Sequence, residues 1–348
     1  MQIANLDLPV IWAGLIAVAV FLYVVLDGFD LGVGILFPFA ADARERDQMV
    51  ASIAPVWDGN ETWLILGGGG LLAVFPLAYS ALMPALYLPV SLMLIALIFR
   101  GVAFEFRHHG VSRGKRFWTG AFFCGSLGAA LAQGIILGGF IQGIKTDPVR
   151  HAFIGGGLDW LTPFSLAVGI GLAIGYALLG AGWLVFKTTG PLHERAQSWT
   201  QRLAIATGIA LFLVSAATLT VDPQVTQRWG ISISRGVYDW GRFLSLAWLP
   251  GLALSCIAMA ALRVRHAPHR RAYQFTVALF ALGFAGLAIS VWPNVIPFGL
   301  DIHQAAAADN ALLLMLIGAL ITLPVILGYT CFVYWVFRAK VPADAASH

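Results

Sequence analysis

The sequence predicts an all-α integral membrane protein with nine transmembrane helices. Three observations carry this reading. Ala, Val, Ile, Leu, Met, Phe, Trp, Tyr and Cys make up 59% of the 348 residues and charged residues 11%, where a soluble domain has about 25% charged. No soluble core uses that much apolar surface and no disordered chain contains it. Nine segments match the roughly 20 apolar residues that a helix needs to cross a bilayer. They lie near 8–36, 52–74, 80–99, 117–141, 163–186, 203–220, 243–262, 273–292 and 311–337. Lysine and arginine, finally, fall on one side. With the N-terminus outside, the inner segments hold Arg44, Arg46, Arg100, Arg107, Arg113, Lys115, Arg116, Lys187, Arg195, Arg202, Arg263, Arg265, Arg270, Arg271, Arg338 and Lys340. The outer ones hold only Lys145, Arg150, Arg228, Arg235 and Arg242. This bias puts the N-terminus in the periplasm and the C-terminus in the cytoplasm. It also makes sidedness, not nucleic-acid binding, the reading of the net charge of +4. A β-barrel would show segments of about ten residues with alternating polarity, and that pattern is absent.

The first segment follows MQIANLDLP, which has no basic n-region and leads into an apolar stretch too long for a signal peptide, so it is expected to be retained. It carries Asp27-Gly-Phe-Asp30-Leu-Gly-Val-Gly34, whose two carboxylates stand three apart on one helix face. The second opens with Ser52-Ile-Ala-Pro55-Val-Trp57-Asp58-Gly59-Asn60-Glu61-Thr62-Trp63. Ser52 is placed to cap it, Pro55 suits a first turn, and Asp58, Glu61 and Thr62 share a face. Its Gly67–Gly70 run lies mid-membrane and reads as close helix contact or local unwinding. The third segment ends at Arg100, followed by Glu105 and Arg107. The fourth closes the polar half, and segments five to nine hold almost nothing ionisable at depth. The connecting loops are short and contain no inserted soluble domain.

Sidedness sets depth. The first segment runs inward, so Asp27 and Asp30 lie in its inner half; the second starts inside, and Arg100 and Glu105 emerge there too. Five or six ionisable groups therefore converge on the cytoplasmic third of the membrane. Buried charge is costly and marks function by default, and a carboxylate series with one arginine suits proton uptake. The structural alternative is that Asp–Arg pairs pin helices together. Asp27 is the residue best suited to that role, and Glu61 to facing a lumen or a headgroup.

The eight histidines (His108, His109, His151, His193, His266, His269, His303 and His348) all fall in loops or tails by this span assignment. Haem held at depth needs a His, Met or Cys ligand. Met83, Met93, Met259 and Met315 read as core or lipid-facing, and Cys124, Cys256 and Cys331 as small hydrophobes. No haem iron and no metal is therefore expected on this chain. Walker A, GxGxxG and HExxH patterns are absent.

These residues resemble subunit II of the cytochrome bd quinol oxidases, a family that includes the cyanide-insensitive oxidases. The resemblance rests on Asp27-Gly-Phe-Asp30-x-Gly-Val-Gly34, Ser52-Ile-Ala-Pro55-x-Trp57-Asp58-Gly59-Asn60, Phe99-Arg100 and Phe104-Glu105-x-Arg107. It continues through Pro163-Phe164, Trp292-Pro293 and Leu323-Pro324-x-x-Leu327-Gly328-Tyr329-Thr330 with Tyr334-Trp335. It implies two four-helix bundles and a peripheral ninth helix, divided here as 1–141, 142–292 and 293–348 with the cytoplasmic tail. It implies a haem-free subunit in the bacterial inner membrane, paired with a subunit I that carries b-type and d-type haems. That complex oxidises quinol, reduces dioxygen to water and takes protons from the cytoplasm without pumping. A structural quinone in some members and a small single-helix accessory subunit also belong to the pattern.

No catalytic residue is assigned to this chain. The positions of Asp58 and Glu105 are linked in the family to a proton route into subunit I, the second commonly as Asp, so Glu here lengthens the arm. Asp30 and Asp27 complete the expected path, and Arg100, Arg107, Trp57, Asn60 and Glu61 support it. The competing readings are a stand-alone proton-coupled secondary transporter, which lacks a counterpart to the cluster in its second half, and a pure assembly scaffold.

Overall fold

A computed structural model describes residues 6–109, 112–147, 149–232, 237–264 and 269–343. Arg235, Arg265, His266 and His348 lie outside the described residues, as do the side chains of His108, His109, Arg113, Arg263, His269 and Arg270. The chain is helical almost throughout: α1 (Leu8–Leu36), α2 (Ala43–Ile53), α3 (Trp57–Val74), α4 (Pro76–Ala85), α5 (Tyr87–His109), α6 (Ser112–Ile141) and α7 (Pro163–Lys187). Then follow α8 (Pro191–Thr218), α9 (Pro223–Arg228), α10 (Trp240–Leu246), α11 (Trp248–Arg263), α12 (His269–Val291), α13 (Ile302–Ala305) and α14 (Asp309–Val336). Two small antiparallel hairpins, Ile231–Ser232 with Val237–Tyr238 and Asn294–Ile296 with Leu300–Asp301, sit in the connections.

Eight of the described helical segments are long and apolar enough to cross a membrane: 8–39, 87–107, 114–141, 163–187, 191–218, 240–262, 271–291 and 309–336. The segment expected as the second span differs. Asp42 caps α2, accepting from the Glu45 N–H at 2.9 Å, while Glu45 accepts from the Ala41 N–H at 2.7 Å. The helix stops at Ile53, a turn holds Pro55, and α3 starts only at Trp57. Ser52 is therefore no cap; its hydroxyl donates to the Met49 carbonyl inside α2. With Asp58, Asn60 and Glu61 in its first turns, α3 is too polar to join the eight. The third expected span is shifted likewise, because Leu86 breaks α4 from α5. The sixth begins earlier, at Pro191, since Gly190 turns with φ +76° and proline then suits a first helical position.

α1 is the axis of the packing. It lies against α3, α6, α7 and α14, and α7 in turn packs on α6, α8 and α12. Helices in lipid associate through close van der Waals fit rather than hydrophobic transfer, so small residues set the crossings. Gly32 of α1 meets Gly180 of α7, and a Cβ on Gly32 would sit 2.8 Å from the Gly180 nitrogen and closer still to the Tyr176 carbonyl. Gly32→Ala should lower unfolding stability by about 3 kcal/mol, the upper range for overpacking, read as a shift in thermal unfolding in detergent; an unshifted midpoint would contradict the close crossing. The glycine run at 67–70 stays helical, with Gly67 and Gly70 facing Val20 and Ile16 of α1. Away from these seams the helices present apolar surface outward, α14 most of all, with Leu314, Leu320, Ile321 and Val325 exposed.

The loop between α6 and α7 carries its own lock. Asp147 accepts from the Arg150 and Val149 N–H groups at 2.6 and 2.9 Å. These bonds hold its carboxyl below the usual carboxylate range. A depressed native pKa adds stability that is present above the unfolded value and lost as pH falls through the native one. Cleavage of this loop by a protease active from acid to neutral pH, normalised to an unstructured peptide, should therefore rise only below about pH 4, whereas Asp147→Ala should be cut at the raised rate already at neutral pH.

Candidate functional site

The buried polar residues gather where the C-terminal half of α1 meets the start of α3 and the end of α5. Asp27, at 0% exposure, and Asp30 come from α1, Arg100 from α5, and Asn60 and Glu61 from α3. Arg100 is the hub. Its Nη1 donates to Asp27 Oδ1 at 2.5 Å and its Nη2 to Glu61 Oε2 at 2.8 Å, and its guanidinium lies 5.8 Å from the Trp57 ring centroid. A bidentate guanidinium fixes two carboxylates on two different helices, so α1, α3 and α5 are tied at one point.

Asp30 is held separately. Asn60 Nδ2 donates to Asp30 Oδ2 at 2.7 Å and to the Leu26 carbonyl at 3.3 Å, while the Tyr334 hydroxyl of α14 donates to Asn60 Oδ1 at 2.8 Å. The two aspartates share a face as expected but divide their partners, one to arginine and one to an amide. Asp27 Oδ2, Asp30 Oδ1 and Arg100 Nε are buried with no hydrogen-bond partner among the described residues. Three carboxyls stand here against one guanidinium. One guanidinium cannot balance three carboxylates, and burial makes excess charge costly.

Glu61 is the group's outward member, 31% exposed at the α3 surface. Asp58, one turn earlier on the same face, is exposed, and so is Glu105 on α5. Sequence analysis places these two within the convergent cluster; the fold leaves them at its surface, because their helix positions turn away from α1. Ile65, Ile98, Phe99 and Phe106 are exposed on the same two helices. Arg107 points elsewhere: its Nη2 donates to Asp47 Oδ1 of α2 at 2.7 Å, Lys115 approaches the same carboxylate at 3.6 Å, and its guanidinium covers Phe37.

Several members escape sequence reading. Asp47 lies in a polar helix outside every expected span. Tyr23 stands one turn before Asp27 on α1 and accepts from Gln133 Nε2 at 2.6 Å, and Gln133 Oε1 accepts from the Tyr176 hydroxyl at 2.7 Å. This second polar line joins α1, α6 and α7, and uncharged residues in apolar runs give little sign of it. Among the histidines, His108 and His109 end α5, His269 opens α12, His193 lies in the first turn of α8 and His303 in α13, 3.6 Å from Asp7, rather than in loops.

The sequence profile described as cytochrome bd terminal oxidase subunit II matches residues 8–337. The chain belongs to the cytochrome bd terminal oxidase subunit II family. Cytochrome bd ubiquinol oxidase subunit 2 of Bacillus subtilis is 29% identical over 342 residues, covering 95% of this chain and 96% of that one. Cytochrome bd-I ubiquinol oxidase subunit 2 of Escherichia coli is also 29% identical, over 96% of this chain and 95% of its own. Among solved structures, a chain of the bd oxidase from Geobacillus thermodenitrificans superposes with a TM-score of 0.75 at 16% identity, covering 95% of this chain and 99% of that one. That likeness is one of fold. Among the described residues, Asp27, Asp30, Asn60 and Arg100, with the half-buried Glu61, form the cluster of polar side chains where α1, α3 and α5 meet.

Proposed function

We propose that this chain is the haem-free subunit of a cytochrome bd-type quinol:dioxygen oxidoreductase, and that it carries protons from the cytoplasm toward a partner subunit I holding the b-type and d-type haems. It stabilises that partner and is not catalytic alone, and the complex is electrogenic without pumping. The observation that carries the reading is the continuity of polar groups from the exposed α3–α5 face inward. Asp58 and Glu105 form the mouth, Glu61 passes the proton to the Arg100–Asp27 pair, and Asp30 on Asn60 is the innermost acceptor. Arg107, paired with Asp47 away from the cluster, holds the end of α5 against α2 beside the mouth. The exposed Asp58 beside exposed Ile65, Ile98 and Phe99 suits a face covered by another helical subunit, since lipid alone would leave that acid unsolvated.

In this reading α3 crosses the bilayer within the complex as a ninth span, the N-terminus is periplasmic and the multi-pass chain sits in the bacterial inner membrane. Residues 1–141 and 142–292 form two four-helix bundles that meet along α1 and α7, and 293–348 adds the peripheral helix and tail. In this arrangement α1 packs on α3 and α6, α12 packs on α7 and α11, and α7 joins the two sets by lying against α1 and α6. A bound quinone and a single-helix accessory subunit are compatible additions.

The test is to tag the chain, purify it gently from its own membrane and record a reduced-minus-oxidised optical spectrum. A d-type haem signal with quinol-dependent oxygen uptake is expected. A chain that purifies alone and colourless, from membranes that keep their oxidase spectrum when it is deleted, would overturn the assignment.

A further inference from the structure

Between the ends of α2, α7 and α14 lies a cavity of about 290 Å³, near the size at which small-molecule pockets begin. Its walls are aromatic, built from Trp183, Phe186, Tyr334 and Trp335, and two cations, Lys187 and Arg338, stand in them with no acidic residue. Lys187 is 6% exposed. Its ammonium donates to the Ala339 carbonyl at 2.9 Å and to the Phe337 carbonyl, at the end of α14. Helix-end carbonyls balance part of its charge, but neither Lys187 nor Arg338 forms a salt bridge among the described residues. A lysine has three donors; two go to these carbonyls, and the third has no hydrogen-bond acceptor among the described residues, with the Trp183 ring centroid 5.6 Å from the ammonium. Arg338 lies with its guanidinium 4.8 Å from the exposed Trp335 ring and uses one N–H on the Trp335 carbonyl at 3.3 Å. Most of its fork is therefore unused.

We propose that this cavity binds the headgroup of an anionic phospholipid, with the phosphate on Lys187 and Arg338 and the first carbons of its chains along the aromatic wall. A buried ammonium without a counter-ion calls for an anion. A tryptophan and a cation at the end of a membrane helix mark the headgroup level. The apolar wall and the apolar outer surface of α14 favour an amphiphile over a free phosphate, which would leave that wall unfilled. The site lies on the side with most of the lysines and arginines, where anionic headgroups meet basic residues. It opens away from the proton reading but shares two walls with it: the Tyr334 hydroxyl donates to the Asn60 side chain, and the Val56 carbonyl accepts from the Asn60 N–H.

The test uses the chain with whatever co-purifies. The sample is stripped of lipid by detergent exchange and titrated with phosphatidylglycerol or phosphatidylcholine in mixed micelles, and bound lipid is counted by native mass spectrometry. Wild type should retain one phosphatidylglycerol per chain and discriminate against phosphatidylcholine. Arg338→Gln should weaken retention about tenfold, the size of one charge-assisted bond, and Lys187→Gln by at least as much. Lys187 also holds the end of α14, so the exposed Arg338 keeps the test decisive if the lysine variant unfolds. Equal retention of both lipids, unchanged binding by Arg338→Gln, or displacement by inorganic phosphate as effective as by lipid would each overturn the proposal.

Discussion

Replacing Arg100 with glutamine should remove most of the folded chain from the membrane. Arg100 is 2% exposed and is the guanidinium bonded to both Asp27 and Glu61. Taking away one partner of a buried ion pair strands the other charge and costs about 3–5 kcal/mol. Total stability of a domain is only about 5–15 kcal/mol, so the loss reads as low steady-state protein and low d-type haem in membranes. The decisive companion is Asp27→Asn with Arg100→Gln. It leaves no unpaired charge at the fully buried Asp27 position, and Glu61, 31% exposed, can be solvated without its partner, so the double variant should recover at least half of the lost protein. Quantitative immunoblotting of membranes checks both. Normal levels of the single variant would mean that the ion pair does not hold α1 to α5, and failure of the double variant would mean that the charge itself is required.

Asp58→Asn should slow quinol-dependent oxygen consumption by roughly tenfold while leaving haem content and complex yield unchanged. A positioned proton-transfer group contributes about 100-fold or more where nothing bypasses it, and water at an exposed mouth supplies part of that. Asp58 is exposed and forms no salt bridge among the described residues, so its amide should cost little stability. Glu105→Gln should be milder, about threefold, because Arg107 and Lys115 hold the neighbouring surface polar around Asp47. Oxygen electrode rates normalised to haem separate the two. An unchanged Asp58→Asn rate takes Asp58 off the path, and loss of assembled complex in Glu105→Gln makes that residue structural.

What the sequence made legible follows from how each signal is written. The helices α1, α7, α12 and α14 are long apolar runs, and their bounds emerge nearly as expected. Asp27, Asp30 and Arg100 are charges in apolar surroundings, which makes them visible without a structure. The break at Pro55 was hidden, because a proline near a helix start is as readily tolerated as it is disruptive, and only the capping of α2 by Asp42 ends the ambiguity. The early start of α8 was signalled by Gly190-Pro191, but the polar residues after it outweighed that cue. Partner choice was not legible at all. Periodicity puts Asp27 and Asp30 on one face, yet only packing assigns Arg100 to the first and Asn60 to the second, and it sends Arg107 to Asp47 instead of into the cluster. The Tyr23–Gln133–Tyr176 line and the cavity beside Lys187 depend on three or more helices meeting, which no single stretch of sequence encodes.

The central claim is that protons reach the partner subunit through Glu61 and the Arg100 group. The most direct measurement is proton uptake from the inner side, followed with a pH-sensitive dye in vesicles holding the purified complex, for wild type and Glu61→Gln. Arg100 keeps Asp27 in that variant, so the complex should assemble with normal haem content. Proton uptake and oxygen consumption should slow together, by about tenfold or more. Uptake at the wild-type rate, with haem content normal, would contradict the account and leave the buried carboxylates as structural ties between α1, α3 and α5.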